Sequence, residues 1–150
     1  MTRFVLWDIG LTLIDARGFG SRRYGRALAD ATGLTGTLAE VAFRKLESFE
    51  LHHHIDFEIG GFGAASMHRR DLIPDSVAKT EDRHGKPISP DSVVVVGDTP
   101  HDFAGTRCAS AAVAVGVATG SSREDDVHTA GAHAVLPTLA DTDAMLAALS

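Results

Sequence analysis

The sequence predicts an α/β fold built on a doubly wound parallel sheet, and three observations predict it. Two apolar runs, Arg3-Phe4-Val5-Leu6-Trp7-Asp8 and Val93-Val94-Val95-Val96-Gly97-Asp98, each stop on an aspartate. Near-continuous apolar strands of this kind belong to parallel sheets buried on both faces. Helical stretches alternate with the strands, which calls for right-handed crossover connections. No repeat, linker or low-complexity stretch divides the 150 residues, so positions 1–150 read as one core domain of ordinary size.

The elements follow in order. Residues 3 to 7 form the first strand. Ser21 to Asp30 reads as a helix with Tyr24, Ala27 and Leu28 on one stripe and Arg22, Arg23 and Arg26 on the other face. Thr35 and Thr37 offer N-caps to a second helix, whose apolar positions Leu38, Val41, Ala42, Leu46 and Phe49 keep helical spacing. Ile55-Asp56-Phe57-Glu58-Ile59 alternates as a short strand and enters the glycine-rich loop Gly60-Gly61-Phe62-Gly63. A third helix covers Asp71 to Arg83, and Gly85-Lys86-Pro87-Ile88-Ser89-Pro90 breaks it before the four valines. A helix from about Asp102 to Ser110 leads into the buried strand Ala112 to Val117. Ala134-Val135-Leu136 is a last short strand, and Asp141 to Leu149 closes the chain as a helix with Met145, Leu146 and Leu149 inward.

Composition bounds the partners. Hydrophobic residues make up 44% of the chain, enough for a core. The formal charge of -6 is dispersed among both signs, which leaves no electrostatic footprint for nucleic acid or for an anionic membrane surface. A small phosphorylated metabolite stays open as a ligand. The lone Cys108 excludes an internal disulfide and fits a reducing compartment. Met1-Thr2-Arg3-Phe4 lacks the start of a signal peptide, and no apolar run approaches the roughly eighteen residues of a membrane span. The expectation is a cytoplasmic protein.

In an open parallel sheet the functional crevice lies beyond the carboxyl ends of the strands, so Asp8 and Asp98 are expected at one place. Two carboxylates there suit a hard cation and a phosphate. An aspartate at a strand end attacks phosphorus when a cation neutralises its repulsion from the substrate. The plainer alternative makes both residues turn or cap aspartates that only end their strands. His52-His53-His54 reads as a solvated cluster, because adjacent histidines project in different directions. Gly61-Phe62-Gly63-Ala64-Ala65-Ser66 fails as a dinucleotide loop, since the acid about twenty residues on, Asp82, sits beside polar Arg83-His84-Gly85 and not at a strand end.

These residues also carry a resemblance. Asp8-Ile9-Gly10-Leu11-Thr12-Leu13 resembles the DxDGT signature of the haloacid dehalogenase-like hydrolases, and Gly97-Asp98-Thr99-Pro100-His101-Asp102 resembles their GDxxxD motif. Leu34-Thr35-Gly36-Thr37, the amphipathic helix after it and Phe57 to Gly63 are similar to the middle of phosphoglycolate-phosphatase-like members, as is the tail from Val115 to Leu149. The matches keep the family's order across nearly the whole chain. The resemblance implies a Rossmann-like core and a nucleophilic Asp8 that forms an aspartyl phosphate. It implies Mg2+ held by Asp8, Asp98 and the backbone carbonyl of Gly10 and braced by Asp102. Phosphate would be bound by Thr12, Thr35 and Gly36 at free N–H groups. The family also expects a basic residue ahead of a helix. Only six residues separate Lys86 from Val93, so Arg69 or Arg70, ahead of the Asp71 helix, occupies that place better.

Three departures qualify the resemblance. Gly10 stands where phosphatases carry the second aspartate, which protonates the leaving group and activates water, and Leu11 replaces the usual glycine of a tight loop. Only 22 residues separate Thr12 from Thr35, too few for a cap domain. Asp30-Ala31-Thr32-Gly33-Leu34 is a poor strand by propensity. An uncapped site admits water or relies on a partner subunit, which leaves a homo-oligomer open. The function expected is a magnesium-dependent phosphomonoester hydrolase, weakened by Gly10. The alternative is a catalytically inactive module that binds a metabolite or protein on the same fold. A phospho-acceptor domain of response-regulator type needs a lysine after a late strand, and the chain has none beyond Lys86. A dehalogenase, attacking carbon with the same Asp8, resembles the chain less, since that subgroup carries an aromatic at position 10 and needs no magnesium.

Overall fold

The computed structural model describes residues 3–14, 38–62, 68–103, 106, 113–120 and 122–150. The apolar runs become strands β1 (Phe4–Trp7), β2 (Val93–Gly97), β3 (Val113–Val117) and β4 (Ala134–Leu136). They pair in parallel in the order β1-β2-β3-β4. Every residue of β2 is buried, which is why its sequence shows no polar alternation. Its side chains divide between two cores. Val93 and Val95 pack with Ala114, Ile73, Phe103 and Val127 on one face, while Val94 and Val96 pack with Val115, Val117 and Met145 on the other.

The later helices supply those second layers, while the first packs with the turn that follows it. Helix α1 (Leu38–Glu47) buries Val41, Ala42 and Leu46. Phe49 lies beyond its end and is 39% exposed, because Glu50 reverses the chain at φ +59 and Leu51 N–H donates to the Leu46 carbonyl at 2.9 Å. Helix α2 (Leu72–His84) contributes Ile73 and stops at Gly85, whose φ of +64 gives a left-handed cap with its N–H on the Glu81 carbonyl at 2.8 Å. Helix α3 (Glu124–Thr129), not expected from the sequence, inserts Val127 and places Glu124, Asp125 and Asp126 at its positive end. Helix α4 (Thr142–Ala148) is capped by Asp141, which accepts from Ala144 N–H at 3.0 Å, and it buries Met145 on the opposite face of the sheet. Helices on both faces make the sheet doubly wound, as expected.

Two further expectations are corrected. Ile55 to Ile59 is not a strand: a 3₁₀ turn (His52–His54) and bends replace it. At its end α2 side chains, not a ladder, take the carbonyls, with Ser76 Oγ donating to the Ile59 carbonyl at 2.5 Å and Lys79 Nζ to the Gly60 carbonyl at 3.0 Å. Phe57 packs edge-on against Phe43 at 5.2 Å and stacks near Phe62 at 6.2 Å. Leu146 points outward, 58% exposed, because Met145, Ala148 and Leu149 take the inner stripe of α4. The helix expected at Ser21 to Asp30, the caps Thr35 and Thr37, and Cys108 lie outside the described residues, as does most of the helix expected at Asp102 to Ser110.

The sheet brings the two aspartates together through register. Trp7 pairs with Val96 and Gly97 with Gly116, so β1 and β2 end level. Asp8 N–H continues the ladder by donating to the Val96 carbonyl at 2.8 Å. Phe103, fully buried just past this edge, joins the site's turn to the core. Phe103→Ala should lower stability by about 3–5 kcal/mol in urea unfolding.

Candidate functional site

Asp8 follows β1, Asp98 follows β2, and Asp102 sits one turn further on. Carboxylate oxygens of these three residues all lie within 4.8 Å of one another. The Thr12 hydroxyl stands between the first two, with Oγ1 3.2 Å from Asp8 Oδ2 and 3.1 Å from Asp98 Oδ1. Asp102 is fixed by its own turn: its Oδ2 accepts from Thr99 N–H at 2.9 Å and from Thr99 Oγ1 at 2.7 Å. Close approach depends on two glycines. A Cβ on Gly97 would lie 2.6 Å from Asp102 Cβ, and one on Gly120 would lie 1.7 Å from Asp98 Oδ2.

Asp98 is the most constrained member, being 2% exposed with no hydrogen bond at Oδ2. Burial pushes its pKa above the ordinary carboxylate value, with the Asp102 charge adding to the rise. The hydrogen bonds from Thr12, from its own backbone and with Asp8 oppose that rise without cancelling it. A carboxyl whose folded pKa is raised binds its proton more tightly in the folded than in the unfolded state, so its ionisation subtracts stability. Stability of the metal-free protein should therefore decline as pH climbs from the ordinary carboxylate range through the raised value. Thermal melts in chelator across that window check this, and Asp98→Asn should flatten the slope.

The loop after β1 exchanges the roles of two positions. Leu11 has φ +66, a conformation suited to glycine that costs a leucine about 1–2 kcal/mol. The turn is held by Leu11 N–H to the Ile14 carbonyl at 2.9 Å, by Ile14 N–H to the Ile9 carbonyl at 3.1 Å, and by the Thr119 hydroxyl donating to the Leu11 carbonyl. Gly10, by contrast, has no left-handed φ, and a Cβ there would meet nothing within 4 Å. A side chain fits at position 10. Beside Asp8 opens a cavity of about 370 Å³, lined among others by Trp7, Ile59, Phe62, His101 and Asp102.

Of the residues the sequence nominates, Asp8, Asp98 and Asp102 are thus assembled into one cluster, and the Thr12 hydroxyl is turned onto two of those carboxylates. Arg69 lies in the 3₁₀ turn before α2. Arg70 is exposed in the same turn, with Nε 3.7 Å from Asp71 Oδ1, and it does not line the cavity. Thr35 and Gly36 fall outside the described residues. Sequence reasoning assigns no role to Gly97, Thr99, Thr119 or Gly120. A hydroxyl just past the end of a buried strand is the signal that points to Thr119.

A family model described as HAD-hydrolase-like matches residues 64–142, more than half of the chain and inclusive of Asp98 and Asp102. The chain belongs to this family. The fold agrees with solved members of the haloacid dehalogenase-like group. A haloacid dehalogenase-like hydrolase from Streptococcus pneumoniae superposes with a TM-score of 0.56 at 18% identity, over 72% of this chain and 48% of that one. A protein titled a predicted phosphatase from Clostridium acetobutylicum gives 0.51 at 14% identity, over 84% and 59% respectively. A haloacid dehalogenase-like protein of unknown function from Agrobacterium tumefaciens gives 0.47 at 27% identity, over 71% and 48%. The chain spans about half the length of the structures it matches. A search of curated proteins finds no match. Among the described residues, no helix is long and apolar enough to cross a membrane.

Proposed function

We propose that this HAD-like hydrolase transfers a phosphoryl group from a small phosphorylated metabolite to Asp8 with the help of Mg2+, in the cytoplasm. The observation that carries the reading is the Asp8, Asp98 and Asp102 cluster, in which Asp98 keeps a buried oxygen with no hydrogen bond. Oxygen-only donors suit a hard cation, and a buried carboxylate oxygen with no hydrogen bond is costly unless a positive charge faces it, so the residues present fit the ion. Asp8, Asp98 and the Gly10 carbonyl would hold it, with Asp102 bracing the shell. The bound ion would neutralise phosphate charge near the nucleophile.

The chain's own residues account for the remainder. An Asp8 oxygen attacks phosphorus as the bond to the leaving oxygen breaks. Register with β2 fixes the backbone of Asp8, and Thr12 orients its carboxylate. Thr12, Thr35 and Gly36 would contact phosphate through their N–H groups. A binding module on the same fold is the second reading, and Gly10 favours it, since this position supplies no acid or base. Calorimetric titration with magnesium alone tests the shared premise. The wild type should bind, Asp8→Asn should bind more weakly, and absence of binding by the wild type would overturn the proposal.

A further inference from the structure

The open space at Gly10 supports a step beyond that function, resting on Asp8 as the nucleophile. We infer that the chain is a phosphoryl acceptor whose Asp8-phosphate outlives its donor, and that the donor is a compound whose leaving group departs as an anion, an acyl phosphate being the plainest case. In the first half of the reaction an Asp8 oxygen bonds to phosphorus and the bond from phosphorus to the acyl oxygen breaks. The electron pair leaves with a carboxylate that needs no proton at neutral pH. No side chain at position 10 is required for that half.

The second half is different. Water must attack the phosphoryl group and surrender a proton as the bond to Asp8 breaks. The described residues of the Asp8 cluster itself are poorly suited to take it, which leaves His54, Asp56 and His101, further lining residues of the same cavity, as the bases that a lasting phosphoprotein would exclude. Gly10 has no side chain, although one would fit. Thr12 is a hydroxyl already directed at Asp8 and Asp98. Asp98 is 2% exposed behind Gly120, and the Asp102 Oδ2 is engaged twice by Thr99. Within this cluster the forward transfer has its nucleophile, whereas the release of phosphate has no uncommitted base. An alcohol-derived ester, whose leaving oxygen needs a proton, is a poor donor for the same reason.

The test is intact-mass spectrometry of the full chain incubated with acetyl phosphate and magnesium, followed by removal of the donor. The wild type should gain the mass of one phosphoryl group, lose it to hydroxylamine, and keep it for many times the period of its formation. Asp8→Asn should gain nothing. Gly10→Asp should shorten the lifetime by about a hundredfold or more. Steady phosphate release by the wild type with no accumulated phosphoprotein, abolished by Asp8→Asn, would overturn the inference and leave the proposed function standing. Slowing of that release by His101→Gln would identify the cavity-lining histidine as the base and overturn it equally. No mass gain and no phosphate release in any variant would sink both.

Discussion

Gly10→Asp raises magnesium-dependent turnover of an ordinary phosphomonoester by about 10²- to 10⁴-fold, the range that a positioned general acid or base supplies. Two observations support so large a gain. The position lies two residues from Asp8, and a Cβ there meets nothing within 4 Å, so the new carboxyl enters without displacing packed atoms. The backbone needs no glycine, because it is Leu11, not Gly10, that has the left-handed φ of +66. The expected split is diagnostic. The gain should fall on esters whose leaving oxygen must be protonated and be much smaller for acyl phosphates. A fourth carboxylate beside three others also adds repulsion, so the variant should melt lower than the wild type in chelator and recover more on addition of magnesium.

Asp98→Asn should separate stability from function. In the metal-free protein, Asp98 is a buried charge whose Oδ2 accepts no hydrogen bond, and the amide removes that charge while its oxygen can still accept from Thr12. Metal-free stability at neutral pH should rise by about 1 kcal/mol or more. The same change removes an anionic ligand. At magnesium a hundredfold over the wild-type Kd, the wild type gains about 2.7 kcal/mol, and the variant should gain little or none of it. Urea unfolding with and without magnesium measures both terms. A variant less stable than the wild type in chelator would contradict the assignment of Asp98 as an uncompensated ligand.

The path from sequence to site was shortest where one physical requirement governed each residue. A strand buried on both faces must be apolar throughout, and Val93 to Val96 could be little else; a parallel sheet then delivers Asp8 and Asp98 to the same edge. The segment Ile55 to Ile59 misled because alternation marks which side chains turn inward, not whether a neighbouring strand exists. Ser76 and Lys79, about twenty residues on, take the carbonyls that a ladder would use. Helix α3 was hidden by its own first turn, Glu124-Asp125-Asp126, which leaves Val127 as its single buried residue. Leu146 fitted an apolar stripe that Met145 and Leu149 already filled. Gly120 was illegible for another reason. Its role arises from an approach to Asp98 across strand ends, and no local pattern records a distance of that kind. Gly10 and Leu11 were legible as departures from a motif, and the structure gives their physical content: room where the glycine is, and a glycine's backbone angle where the leucine is.

The central claim is that Asp8 takes a phosphoryl group in a site assembled with Asp98. It is tested most directly by following release of the aryl alcohol from an activated aryl phosphate, with and without magnesium, by the wild type and Asp8→Asn. The account predicts release by the wild type of at least one equivalent per chain, only with magnesium, and none by Asp8→Asn. Release that persists in Asp8→Asn, or that is indifferent to magnesium, would contradict it.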